Sequence, residues 1–242
     1  MTESQKTAIV TGASRGIGAG LVSALSQLGY CVVATSRNIT EGNPFPASAK
    51  LALVAGDIAD PSTAAKIADA AVSRFGRIDV LINNAGINLR KDFTEYTAED
   101  LRSVVAVNIE GFLFITQLAV KQMLAQGTGG SIVTITASMA NHPIAGVHLA
   151  VPMLTKGGLE AVTKSLAMEY VQQGIRVNAV APSVVNRPSY KDDWKKFVNT
   201  FQPMARIPEV KDIVDAVIYL TEASQVTGEV LHVDGGAHVG KW

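Results

Sequence analysis

The sequence holds a single cysteine, Cys31, in 242 residues. A lone thiol cannot close an intramolecular disulfide, which excludes a disulfide-stapled secreted scaffold and fits a reducing compartment. An excess of charge is missing as well. Lys and Arg total 21 and Asp and Glu total 21, so no bulk attraction to nucleic acid or to an anionic membrane is expected. Long apolar runs are also scarce. The most apolar stretch, "GFLFITQLAV", is too short to span a bilayer, and the polar opening "MTESQ" has no signal-peptide pattern. With 48% hydrophobic and 17% charged residues, the composition is that of a globular chain. One cytoplasmic α/β domain spanning 1–242 is the expectation, with length enough for a large core.

Seven short apolar runs are present: "TAIVTG", "CVVATS", "LALVAGD", "DVLINNAG", "SIVTITAS", "IRVNAVAP" and "EVLHVDGG". Each is bounded by turn residues, as buried parallel strands are. Helical spacing lies between them. Ile17, Leu21, Leu25 and Leu28 share a face before Gly29; a second helix runs from about Leu101 to Met123, and a third from about Pro152 to Val171. Strands alternating with helices predict a single-domain Rossmann-type fold: a doubly wound parallel sheet of about seven strands with helices on both faces. The irregular stretch 183–208 is expected to form a lid. Its Tyr190, Trp194, Phe197 and Phe201 suggest an apolar or aromatic substrate, although the spacing of the last three equally suits a helix covering its own core.

"TGASRGIG" places Gly12, Gly16 and Gly18 between the first strand and the first helix. Glycines permit a tight turn and close backbone approach, and a helix N-terminus offers N–H groups to a pyrophosphate. "GDI" with Asp57 ends the third run, "NNAG" with Asn84, Ala85 and Gly86 ends the fourth, and "VNIEG" with Asn108 lies on the second helix. Taken in order, with a serine after the fifth strand and a lysine on the next helix, these motifs resemble the short-chain dehydrogenase/reductase family along nearly the whole chain.

That resemblance implies a bound dinucleotide contacted by Gly12, Ser14, Arg15, Gly16, Ile17, Gly18, Asp57, Ile58, Asn84, Ala85, Gly86, Lys156, Pro182 and Val185. After the second strand the chain reads Ser36-Arg37, with no acid to hold a ribose 2′-hydroxyl. Arginines there and at Arg15 favour a 2′-phosphate, so NADPH is the expected cofactor. No metal site is expected. The family also implies a homodimer or homotetramer built through the long helices.

For catalysis the resemblance implies Asn108, Ser138 and Lys156, with Ala137 as the alternative register for the serine. The fourth member of the family's set, a tyrosine four residues before the lysine, is missing. That position is Pro152, which has no hydroxyl. Tyr170 lies 14 residues beyond Lys156, about 21 Å along a helix, and cannot serve. Two further departures are Ser183, where the family has glycine after the proline, and Arg187, where it has threonine. His148 is the first candidate for a substitute acid, with His142 and Tyr190 behind it. An imine, quinone or activated carbonyl would need a weaker acid than a simple ketone. Two alternatives stand beside that reading: an ordinary ketone or aldehyde reductase with a substitute acid, and an NADPH-binding protein impaired in catalysis.

Overall fold

The computed structural model describes residues 5–40, 44–46, 48–187, 192–200 and 202–240. Tyr190, Phe201 and Trp242 lie outside these residues, as does the side chain of Trp194.

The seven apolar runs become seven strands: β1 (Thr7–Thr11), β2 (Cys31–Ser36), β3 (Leu51–Ala55), β4 (Val80–Asn83), β5 (Gly130–Ile135), β6 (Ile175–Pro182) and β7 (Val230–Val233). All adjacent pairs are parallel, in the order β3-β2-β1-β4-β5-β6-β7. The helices are α1 (Gly16–Gln27), α2 (Pro61–Phe75), α3 (Ala98–Val105), α4 (Gly111–Gln126), α5 (Ala150–Tyr170), α6 (Asp192–Asn199) and α7 (Val210–Glu222). α1 and α7 bury Leu21, Leu25, Ile213 and Val217 on one face of the sheet. α2, α4 and α5 bury Ile67, Ile115, Met123 and Ala167 on the other. Strand order reverses between β1 and β4, and in such sheets the crevice beyond the carboxyl ends at that point is where a ligand binds.

Three boundaries differ from the sequence pattern. The helix expected from 101 to 123 is longer and interrupted: α3 passes into one π turn at Ala106–Glu110 before α4. The run Ala98–Gln126 is 29 residues, apolar and long enough to cross a bilayer by length and composition, unlike the ten-residue stretch taken from sequence. Its Val104, Phe112, Ile115 and Met123 are buried within the fold. α5 begins at Ala150 rather than Pro152. Between β6 and α7 the chain is not wholly irregular, since α6 buries Val198 completely.

Candidate active site

The glycine turn joins β1 to α1 with little room to spare. Gly12 has φ +66°, and a Cβ there would lie 2.9 Å from Ala85 Cα. A Cβ on Gly18 would lie 2.2 Å from the Gly12 carbonyl oxygen. Gly16, at φ +56°, faces open space instead, which leaves the start of α1 approachable. That helix has no side-chain cap and no acidic residue in its first turn, so its N–H dipoles are left for an anion. Ser14 is half-buried, Arg15 exposed, and Ile17 packs partly into the core beneath.

Neighbouring strand ends complete the cradle. The side chain of Asn84 donates to the carbonyls of Thr11 (2.8 Å) and Gly12 (3.1 Å). Thr11 Oγ1 accepts from the N–H groups of Asn84 and Ala85, each at 3.0 Å. Asp57 accepts from Ala59 N–H at 3.0 Å, and Ile58 is buried behind it. At the end of β2 the Ser36 hydroxyl is buried with no hydrogen-bond partner among the described residues, and Arg37 beside it is exposed. An orphaned hydroxyl, an exposed guanidinium and an open helix N-terminus suit a phosphorylated ribose and pyrophosphate, so the residues fit a dinucleotide.

The proton-handling side rests on the π turn, which carries Asn108 into the interior at 2% exposure. Its amide donates to Ile87 O (3.1 Å) and Thr155 Oγ1 (2.9 Å), while its oxygen accepts from Ile87 N–H (2.8 Å). The Thr155 hydroxyl in turn donates a hydrogen bond to Pro152 O at 2.7 Å. Lys156 is buried, donates to Ile135 O at 2.7 Å, and is pushed by that burial down to about 8. A Cβ on Gly86 would lie 3.3 Å from both Lys156 Nζ and Asn108 Oδ1, so these groups share one corner. Behind them is a cavity of about 10 Å³, lined by Thr11, Asn83, Asn108, Thr134 and Lys156. That is room for one water, and Thr134 Oγ1 on its wall has no hydrogen-bond partner among the described residues.

Ser138 is buried three residues past the carbonyl that holds Lys156, where it opens a short 3₁₀ turn; Ala137 is only half-buried. Pro182 closes β6 opposite Val233, and Val185 packs against the α1/α7 core. Ser183 N–H donates to Val233 O (3.2 Å), and its hydroxyl accepts from Gln202 (2.8 Å). Pro152 is buried in the first turn of α5, where a missing N–H costs no intrahelical bond.

The expected acid candidates are not all brought to Lys156. His148 is not one helical turn before Pro152, because α5 starts only at Ala150. Its ring pairs with Asp92, and both side chains are more than half exposed. His148 lines a groove of about 430 Å³ together with Phe93, Met139, Ile144, Val147 and Met153. His142 points elsewhere, against the rings of His232 and His238. Thr155 was not legible as a site residue, since a threonine beside the family lysine carries no distinctive spacing. Its signal is the hydrogen-bond chain from Asn108.

The family described as Enoyl-(Acyl carrier protein) reductase matches residues 12–238. The chain is a short-chain dehydrogenase/reductase. This short-chain oxidoreductase is 35% identical to a tropinone reductase homolog of Arabidopsis thaliana, over 96% of this chain and 91% of that one. It is 33% identical to the L-xylulose reductase of Mesocricetus auratus, over 96% of each. Among solved structures, ElxO with NADP bound superposes at TM-score 0.90 with 26% identity, covering 98% of this chain and all of ElxO. A Tyr→Phe variant of ElxO with NADPH bound gives 0.89, with 27% identity, 98% of this chain and all of that one. The 3-ketoacyl-(acyl-carrier-protein) reductase of Brucella melitensis, complexed with NADH, gives 0.87 with 29% identity, covering 96% and 98%.

Proposed function

We propose that this chain is an NADPH-dependent reductase that transfers hydride to an imine, a quinone or an activated carbonyl, without a helix-borne tyrosine as acid. The observation that carries this reading is the pairing on α5 of a buried Lys156 with Pro152 one turn before it. NADPH, when bound, supplies the hydride. Gly12, Gly16 and Gly18 admit its pyrophosphate to the start of α1, and Arg15, Ser36 and Arg37 meet a 2′-phosphate. Lys156 holds the nicotinamide-side ribose, and Ser138 orients the acceptor. A Tyr→Phe variant of ElxO, a neighbour of the same fold, holds NADPH.

The acceptor class follows from proton demand. A ketone carbon receiving hydride leaves an alkoxide, and losing its general acid costs on the order of 10²–10⁴-fold. A protonated imine receives hydride without a further proton, and a quinone needs only a weak acid. The groove beside Met139 and Met153 is mostly apolar, which suits an apolar or aromatic acceptor. The described parts of the stretch after β6, 183–187, 192–200 with α6, and 202–208, serve as its lid in this reading. Exposed Leu101, Leu113, Leu154 and Met168 on α3, α4 and α5 support assembly as a homodimer or homotetramer in the cytoplasm.

A second reading, an ordinary ketone or aldehyde reductase, draws support from the His148–Asp92 pair at the groove. NADPH oxidation measured across cyclic imines, quinones, conjugated enones and simple ketones separates the readings. Turnover confined to imines and activated acceptors is expected. Fast turnover of simple ketones would favour the second reading, and tight NADPH binding with no turnover would mean that the chemistry has been lost.

A further inference from the structure

The chain has four histidines, and three of them meet although they come from distant segments. His232 on β7 and His238 beyond it stack with ring centroids 4.1 Å apart and 18° between planes. His142, from the turn after β5, sits edge-on to both at 5.8 Å. Two buried carboxylates flank the rings. Asp234 is 2% exposed; it receives the His238 backbone N–H at 3.0 Å and faces His238 Nδ1 at 2.9 and 3.1 Å. Glu160, one helical turn past Lys156 on α5, is 5% exposed and accepts from the Asn141 side chain. Glu160 Oε1 and His232 Nε2 are buried with no hydrogen-bond partner among the described residues. Leaving such atoms unpaired costs folding free energy, so stability alone does not account for the cluster.

Its attachments lead to both walls of the site. The N–H groups of Asn141 and His142 donate to Ser138 O, at 3.3 and 3.0 Å. On the other side, Val233 O accepts from Ser183 N–H, and Gly235 O accepts from Met204 N–H at 3.1 Å. The segment that holds two of the histidines thus also holds residues flanking the lid region, while the third is fastened to the backbone of Ser138.

We propose that His142, His232 and His238, with Asp234 and Glu160, form a proton-sensitive clamp that positions Ser138. The proposal rests on Ser138 belonging to the reacting site. The groups facing His232 are Glu160 from α5, His142 from the turn after β5, and Asp234 and His238 from the segment after β7. His238 Nδ1 faces Asp234, and its ring lies nearly flat against His232. His232 resists protonation, first because burial desolvates it and then because the His238 ring lies against it. In acid it is forced to charge, and a desolvated cation is driven out of the stack. The turn carrying His142 then loosens and Ser138 moves with it. His232 is a positioning residue, acting through His142 and the turn.

The test pairs kinetics with nuclear magnetic resonance on the full-length protein. In wild type, kcat should fall by about tenfold per pH unit below a midpoint that lies under the ordinary histidine value, because burial and the stacked His238 ring hold His232 down. His238→Asn and His232→Asn should flatten that limb while kcat at pH 8 and thermal stability at pH 8 stay within about twofold and about 3 °C of wild type. Amide signals of Ser138 and His142 should titrate with the His232 ring in wild type and lose that step in His238→Asn. A limb or an amide titration unchanged in both variants overturns the clamp. Absence of turnover with every acceptor would sink the reductase reading instead, and the amide titration then decides the clamp alone.

Discussion

The two halves of this site are built from different materials. The nucleotide half, at the ends of β1, β2 and β4, is made largely of backbone: a turn in which Gly12 and Gly18 have no room for a methyl group. The proton half, between β5 and α5, is made of side chains: Asn108, Thr155, Lys156 and Ser138. A backbone site tolerates change only where no side chain intrudes, so it stays recognisable. A side-chain site can lose its chemistry at one position while the fold is untouched. On the reading proposed above Pro152 is such a position, since the first turn of α5 accepts proline without losing a helical hydrogen bond.

The comparison breaks hardest at Lys156. Lys156→Met should lower kcat on a conjugated enone, which must gain a proton, by on the order of 10²–10⁴-fold, and much less on a protonated imine, measured by steady-state NADPH oxidation. NADPH should still bind through the glycine turn. Survival of most of the rate would show the proton half to be dispensable. The converse change is Pro152→Tyr, which restores a phenol one turn before the buried ammonium. It should raise ketone reduction by about 10²-fold and leave imine reduction within about threefold. An unchanged ketone rate would mean that Pro152 is not what limits this substrate.

Next in size is a stability effect confined to alkaline pH. Burial lowers Lys156 to about 8 in the folded state, against about 10.4 in an unfolded chain. Between those values the unfolded chain binds more protons, so stability must rise with pH across that window. The gain approaches about 3 kcal/mol at its upper end. Tyr30 acts in the opposite sense near pH 10, since burial and Glu222 push its phenol up. Urea midpoints of wild type minus Lys156→Met, taken from pH 7.5 to 9.5, isolate the lysine. A difference that is flat with pH would place that ammonium in a far more polar setting than the structure does.

How much of this is legible in the sequence follows the same division. All seven strands can be read, because strands covered on both faces are continuous apolar runs. The glycine turn can be read because its spacing is a steric requirement. The π turn around Asn108 cannot, since the apolar pattern passes through residues 104–120 without a break and one extra residue leaves no mark in composition. His148 illustrates a different failure. Four residues before Pro152 is one turn only if the helix extends that far, and α5 stops two residues short. The histidine cluster is beyond reach because His142 and His232 are 90 positions apart, and it takes the pairing of β5 with β6 and of β6 with β7 to bring them together.

The smallest effect concerns which cofactor the backbone half accepts. Neighbours of nearly equal superposition hold NADP in one case and NADH in another, so the fold they share does not choose. Choice must fall on side chains at the ribose, and the structure offers Ser36, with its unpaired hydroxyl, and the exposed Arg37 at the end of β2. A guanidinium at the surface competes with water and salt, so its contribution is modest. Arg37→Ala should weaken NADPH binding about tenfold, or about 1.4 kcal/mol, and leave NADH within about twofold. Added salt should narrow the gap between the cofactors in wild type and do little in the variant, because the substitution removes a charge pair that salt already screens. Equal weakening of both cofactors would move the discrimination away from Arg37, towards Arg15 in the turn.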